Sequence, residues 1–508
     1  MSMEGTTQGD PLAVNQVWLA DDASAAGKLQ QLKDRYDKLI EYGHQIGYYV
    51  NTGKSWLIVK DTQLKALAEE KFGENVNVTD SGQRHLGAVI GSNEYKKSYC
   101  EGKVEKWVQE LQSLCEIAET HPQSAFAAYT KGFRSKFTFF QRTIGGIEDY
   151  LQPVDEILTE KFIPKLFGSD TPEANLREVY ALNPSEGGLG IPSVSEEARN
   201  QYSASVLLTK PHVMSIMNQD SMMRSTDDEG RTNEELKQVY KANKFAVKKQ
   251  NMETLEEKLP TSTKQFMKQA QDKGASSWLT ALPLEEMGFT LNKEEFRDAL
   301  RLRYNLKLED LPTWCACGQR FDVVHALSCK KGGFVAERHD NVKNILTKLL
   351  TKVCRDVKSE PRLIPINGES FDLRSANTTN EARLDIKAKG FWQRGQTAFF
   401  DVRITHINAS NQVGQSTKKI FRSHEMAKKR EYLQRVLDVE NGAFTPLVFG
   451  TNGGLGEECA RFLSSLSAKI SMKDDETYAH TITWTSTKLP FEILRSAIAC
   501  KNPLSHDG

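Results

Sequence analysis

Cys315, Cys317, His325 and Cys329 crowd into one short segment with the spacing C-x-C-x7-H-x3-C. Zinc takes four soft or borderline ligands in a tetrahedron. A tight pair on a turn, followed by a pair one helical turn apart, supplies that geometry. His325 and Cys329 stand at i and i+4, so one helix face carries both. Gly318 lets the backbone turn back toward the metal. Buried cysteines beside a core histidine are the plain alternative, and four ligands at this spacing favour zinc. A second constellation is Arg383-Leu-Asp385, followed by Gln396-Thr-Ala-Phe-Phe-Asp401-Val-Arg403. A hairpin over Lys387 to Gly395 would bring Asp385 and Asp401 to one sheet edge. Two carboxylates there suit one or two Mg2+ ions, which polarise a phosphate and activate a water. A lysine must offset charge and position that water. Lys428 and Lys429 follow on a helix, with Tyr432 one turn on. Two surface aspartates on a solvated hairpin are the rival reading. Asp401 lies between Phe400 and Val402, which counts against it.

Elements that would hold these residues can be read around them. Residues 278–305 suggest a small helical unit. Arg338-His339-Asp340 opens a helix that runs through Asn341 to Val353, with Asp340 suited to capping. Glu360-Pro361 begins a strand, and further β-type segments run from Leu363 to Ile407. A helix over Arg422 to Val439, a strand at Pro446 to Phe449 and a helix after Gly456 complete a compact α/β domain. Gly453-Gly454-Leu-Gly456 reads as a turn.

The first 300 residues are less informative. Gln16 to Ala20 is apolar and ends at Asp21-Asp22. Lys28 to Tyr42 has helical periodicity, with Leu29, Leu32, Tyr36, Leu39 and Ile40 on one face. Trp56 to Val59 and Leu86 to Ile90 are strand candidates. Residues 94–180 are mostly helical, with Val104, Trp107, Val108, Leu111 and Leu114 in register. Ser185 to Pro192 is a Gly-rich loop, and 215–275 is polar and Lys/Glu-rich. The expected class is α/β and multi-domain, divided as 1–92, 93–214, 215–277, 278–335 and 336–508.

The chain has 508 residues, enough for several domains and at least one large core. Its zero net charge hides an asymmetry: 29 Lys+Arg against 21 Asp+Glu from Leu311 onward, and 38 against 46 before it. A basic half suits a polyanion. Arg301, Arg303, Lys330, Lys331 and Arg338 near the cysteine cluster are candidate phosphate contacts. The longest apolar runs, such as Phe444 to Phe449, are too short to span a bilayer, and no signal peptide is visible. Eight cysteines are few for this length. Three of them cluster, which points to metal and a reducing compartment.

In this order, the cysteine–histidine cluster, Arg338-His339-Asp340, the spaced aspartates and the Lys-rich helix resemble the restriction-enzyme-like endonuclease of site-specific non-LTR retrotransposons. The resemblance covers about residues 278–470. It implies a PD-(D/E)XK nuclease fold, a small mixed sheet flanked by helices, behind a CCHC zinc knuckle. Asp385 and Asp401 match the metal-binding aspartates. Arg403 stands where the motif puts lysine, so Lys428 is the best match on the next helix and Lys429 the runner-up. Leu384 replaces the motif proline.

The N-terminal part resembles the same family. Gly5-Thr-Thr-Gln8-Gly9-Asp10-Pro11-Leu12 is similar to a reverse-transcriptase pocket segment. Leu19-Ala20-Asp21-Asp22 is similar to the catalytic Ala-Asp-Asp box, Asn51 and Lys54 to the next palm motif, and Leu86-Gly87 to the one after. Glu186-Gly-Gly-Leu-Gly190-Ile-Pro192 resembles a loop downstream of the polymerase. The resemblance implies a partial palm over 1–92 with a helical thumb-like extension. The chain starts at the pocket motif, and only Ala13 to Ala20 separate Leu12 from Asp21, about 12 Å as a helix. The palm strand with the first catalytic aspartate is missing, so no polymerase activity is expected from Asp21 and Asp22. Implied partners are DNA and the element's RNA, with Zn2+ and Mg2+ as cofactors, no membrane, and work in the nucleus. Two rivals stand beside this reading: a non-catalytic nucleic-acid-binding remnant, and a decayed product that does not fold.

Overall fold

The structure is a computed structural model. It describes residues 15–19, 22–169, 176–218, 230–308, 311–315, 317–329, 331, 334–366, 382–409, 412 and 414–499. The protein is mixed α/β and mostly helical, with small sheets. It forms two compact units that interleave along the chain. One comprises Met1–Ser113, Lys131–Thr159 and Ser193–Glu257, and the other Leu114–Thr130, Glu160–Pro192 and Lys258–Gly508. Among the described residues, no helix is long and apolar enough to cross a membrane.

Among the described residues of the first unit, three two-stranded sheets are separate from one another. Asn15–Leu19 pairs antiparallel with Asp22–Ala26, Trp56–Ile58 pairs parallel with Asn77–Thr79, and Gly82–His85 pairs with Ala88–Gly91. Leu86 and Gly87 form the turn of the last hairpin, both at positive φ, rather than continuing a strand. The helical part is better packed. Val104, Trp107 and Leu111 are buried, and Trp107 meets Phe137 and Phe140 edge-on at 5.2 and 5.0 Å. The polar stretch after 215 contains a helix at Asn233–Lys258.

The second unit holds both candidate sites. Its elements are α1 (Thr261–Ala270), α2 (Lys293–Tyr304), α3 (Val323–Ser328), α4 (Phe334–Val353), β1 (Arg355–Ser359), β2 (Ile386–Lys389), β3 (Thr397–Thr405), α5 (Thr417–Asp438), β4 (Ala443–Gly450), α6 (Glu457–Asp474) and α7 (Tyr478–Ala499). The sheet order is β4-β3-β2-β1. β4 runs parallel to β3, while β2 is antiparallel to both β3 and β1.

Strand alternation decides which helix each side chain meets. Ala398, Phe400 and Val402 of β3 join a core with Val342 and Leu346 of α4, Phe462 and Leu466 of α6, and Leu489 and Ile493 of α7. Each fully buried apolar side chain here, Phe400 and Leu447 among them, contributes about 1.5–3 kcal/mol. Phe399, one step out of phase, packs with Tyr432 and Val436 of α5. Asp401 shares that second phase, so the backbone pleat aims it at α5.

Several boundaries differ from the sequence reading. α4 begins at Phe334, so Asp340 lies inside the helix and caps nothing. Apolar Phe334 and Val342 extend the helix's buried face toward the N-terminus. Glu360 follows β1 instead of opening a strand, and Asp385 immediately precedes β2. Its carbonyl accepts the Glu360 amide at 2.8 Å, which pins the two ends together. α7 had no clear signal because its polar threonines are spread along an otherwise apolar helix.

Candidate active site and metal centre

The cysteine–histidine cluster is assembled almost entirely by local backbone. The Gly318 amide donates to the Cys315 carbonyl at 2.8 Å, and Gly318 sits at φ +83. That turn folds Cys317 back beside Cys315. Asp322 caps α3 by accepting from the His325 amide at 2.7 Å, which fixes the helix carrying the histidine. Cys329 lies just beyond the helix end, with its amide on the His325 carbonyl at 2.7 Å. The four ligand atoms all fall within 4.8 Å of one another. Cys315 and Cys329 sulfurs are 3.7 Å apart, and Cys317 Sγ is 3.2 Å from His325 Nε2. A tetrahedral zinc with bonds of about 2.3 Å sets its sulfur ligands about 3.8 Å apart. These four side chains could hold zinc. A small core of Cys315, Phe321, Ala326 and Phe334 backs them.

The carboxylate site is assembled by the sheet. β2 and β3 pair in a register that puts Ile386 opposite Phe400, and the next step sets Asp385 opposite Asp401. One Asp385 oxygen accepts the Val402 amide at 2.6 Å and lies 3.2 Å from His339 Nε2. His339, on α4, is also 3.1 Å from the Val402 carbonyl. Burial opposes its protonation, but the hydrogen bond and charge of Asp385 outweigh it and push the imidazole up to about 9. Asp401 is only 6% exposed. Burial, and next the Asp385 charge, push its carboxyl up to about 6 against the pull of Lys428.

Lys428 reaches Asp401 from α5, with Nζ 3.1 Å from Oδ1 and 2.9 Å from Oδ2. Its ammonium stands 5.3 Å from the centre of the Tyr432 ring, one helical turn on. Burial keeps the Tyr432 phenol protonated. Lys429 points elsewhere, to Glu458 at 2.5 Å. Adjacent helix positions face about 100° apart, so the two lysines cannot share one partner. On the same side of α5 as Lys429, the Glu425 carboxylate accepts the Glu458 amide at 3.1 Å. Gly456 is required beside it, since a Cβ there would lie 2.5 Å from that carboxylate.

Sequence reasoning missed His339 as the partner of Asp385, having treated its neighbour as a helix cap. It also missed Lys343, a buried lysine that spans Asp340 at 2.8 Å and Glu360 at 2.5 Å. The i, i+3 and i, i+4 spacing of His339, Asp340 and Lys343 was visible, but its partners 17 and 46 residues away were not.

The expected phosphate contacts need correction. Arg338 is 1% exposed and donates to the Leu327 carbonyl at 3.0 Å. Arg301 is buried, and Arg303 is buried with its guanidinium on Ser276 Oγ and the Pro184 and Gly188 carbonyls. The Gly-rich loop it holds is packed, with Leu189 and Ile191 fully buried. Helix position explains this: α2 turns both arginines inward, where Arg303 satisfies two backbone carbonyls. Lys331 is exposed, and Lys330 lies outside the described residues. Asp22 is exposed on its hairpin, while Asp21 and the Gly5 to Leu12 segment lie outside the described residues. The chain matches no protein-family model and no curated protein.

Proposed function

We propose that this protein is a metal-dependent DNA endonuclease of the restriction-enzyme-like kind, derived from a non-LTR retrotransposon. The observation that carries the reading is the meeting of Asp385, Asp401 and Lys428 at one end of the β2–β3 pair. The Asp401 carboxyl is raised by burial first and by Asp385 second, even with Lys428 paired to it, and that donor set fits a divalent cation. Asp385 and Asp401 would hold Mg2+, which when bound polarises a phosphate and acidifies a water. His339 and the Val402 amide hold one Asp385 oxygen. Lys428 balances the carboxylate charge and orients the water that attacks phosphorus as the 3′ oxygen leaves. The cut strand then ends in a 3′ hydroxyl and a 5′ phosphate.

The cysteine–histidine cluster would carry structural zinc and serve as a docking knuckle for nucleic acid, with Lys331 at its exposed side. Residues 1–92 are a partial reverse-transcriptase palm and 93–214 its thumb-like extension, and they do not polymerise DNA. Element RNA is a partner and the nucleus the place of work. The test is a nicking assay on supercoiled plasmid with the full zinc-loaded chain and Mg2+. Nicking by the wild type, lost in both Asp385→Ala and Asp401→Ala, is expected. DNA binding with no cleavage in any divalent metal would instead make this a nucleic-acid-binding remnant.

A further inference from the structure

β1 is the edge strand of the sheet, and its register with β2 sets like charges against each other. Lys358 stands opposite Lys387, and Arg355 opposite Lys389. In a regular strand, residues three apart point to opposite faces. A register shift between Arg355 and Lys358 brings both to one face, while Val357 between them packs against the main core on the other. The shift holds Asp356 at φ +47. Bulges of this kind re-aim side chains beside active sites. Lys387 also stands opposite Phe399 of β3, which packs on α5. The four basic residues therefore share the sheet face on which Asp401 meets Lys428.

Directly opposed like charges destabilise a sheet, yet two such pairs follow each other here. Within these two strands the carboxylate is Asp356, which meets Lys387 at 3.2 Å and Lys358 at 3.9 Å. Glu360, next after β1, is already taken by Lys343 and Arg383. Four cations against one carboxylate leave positive charge in surplus. That charge is open to solvent: Arg355, Lys358 and Lys389 are exposed, and Lys387 is partly so. A surplus built in at the cost of cross-strand repulsion fits a polyanion.

The patch also leads to the carboxylate site. Asp385 immediately precedes β2, and two residues of strand advance about 6.7 Å. Lys387 and Lys389 thus follow the candidate metal carboxylate at about 7 and 13 Å along the strand. We infer that the face of β1 and β2 bearing Arg355, Lys358, Lys387 and Lys389 is the track for the DNA backbone on one side of the scissile phosphate. The inference rests on the nuclease reading for where that phosphate sits. It supplies the backbone contacts that the buried Arg301, Arg303 and Arg338 do not make. Contacts of this kind fix the position of the duplex without reading its sequence.

The test is fluorescence anisotropy of a labelled DNA duplex with the full zinc-loaded chain, without Mg2+, over a salt series. Cleavage is not needed, so failure here and failure to nick are read separately. The combined Arg355→Gln, Lys358→Gln, Lys387→Gln and Lys389→Gln variant should bind at least tenfold more weakly at about 0.1 M salt. Its slope of log K against log salt should be shallower by about 3. Losing the cross-strand repulsion, it should melt no lower than the wild type. A charge-matched control, Lys237→Gln, Lys241→Gln, Lys244→Gln and Lys249→Gln, takes four exposed lysines from one helix and should leave the slope unchanged. Asp356→Asn, at a φ that Asn tolerates, removes the opposing charge and should tighten binding about twofold. An unchanged slope in the four-residue variant, an equal loss in the control, or single-stranded RNA held more tightly than the duplex by the same four residues would overturn the inference.

Discussion

The second unit builds two sites in opposite ways. The cysteine–histidine cluster takes its four ligands from one short segment, shaped by a glycine turn and a capped helix, and a core of only a few side chains supports it. The carboxylate site draws on α4, the approach to β2, β3 and α5, with partners 17 to 63 residues apart, and rests on the large core of the sheet. A locally encoded site depends on its metal to stay folded, whereas a site encoded by tertiary structure is positioned before any metal arrives.

That contrast can be broken in several ways. The largest effect is expected from Asp401→Ala, which removes a carboxylate from a site held rigid without it. Nicking should fall at least ~10³-fold, the order seen when a central electrostatic group is lost, with circular dichroism unchanged. Zinc chelation should act on the other site alone. Amide hydrogen exchange would then show rapid loss of protection over residues 315–329 while β3 and β4 stay protected. Equal loss in both places would mean that the two sites are one folding unit.

Next comes the choice between neighbouring lysines. Lys428→Ala should cut the nicking rate by ~10²-fold, and Lys429→Ala, which removes one of the two ion pairs of Glu458, by less than about threefold. Equal effects would remove the geometric distinction between them.

The pH dependence is a smaller test. The Asp401 carboxyl is raised to about 6 in the folded metal-free protein. Its charged form is thus lost as pH falls through 6, and metal binding should weaken about tenfold per unit below that. His339 has the opposite sign: a folded pKa raised to about 9 stabilises the protein below the unfolded value of ~6.5 and ceases to do so above 9. Thermal melts should therefore show the His339→Gln variant losing most stability below about pH 6.5 and matching the wild type near pH 10.

What could be read in the sequence follows the same division. Cys315 to Cys329 was legible because ligand spacing is itself the geometry. Asp401 was legible because a carboxylate between Phe400 and Val402 breaks the apolar run of a buried strand. His339, Lys343 and Glu360 were not, since their partners are fixed by sheet register and helix docking, which no local pattern reports. Arg301, Arg303 and Arg338 misled for the same reason. Their charge suggested phosphate, but their helix faces turn all three inward, Arg303 and Arg338 onto carbonyl oxygens. In the first unit, short apolar runs marked strands but not which strands would pair.

The measurement closest to the central claim is a Mn2+ titration of the zinc-loaded chain at pH 7.5, followed by loss of the free-ion paramagnetic resonance signal. The account predicts a saturable site that is absent in Asp401→Asn and in Asp385→Asn, while both variants keep their zinc and their circular dichroism. Mn2+ binding unchanged in both variants, or no binding by the wild type, would contradict it.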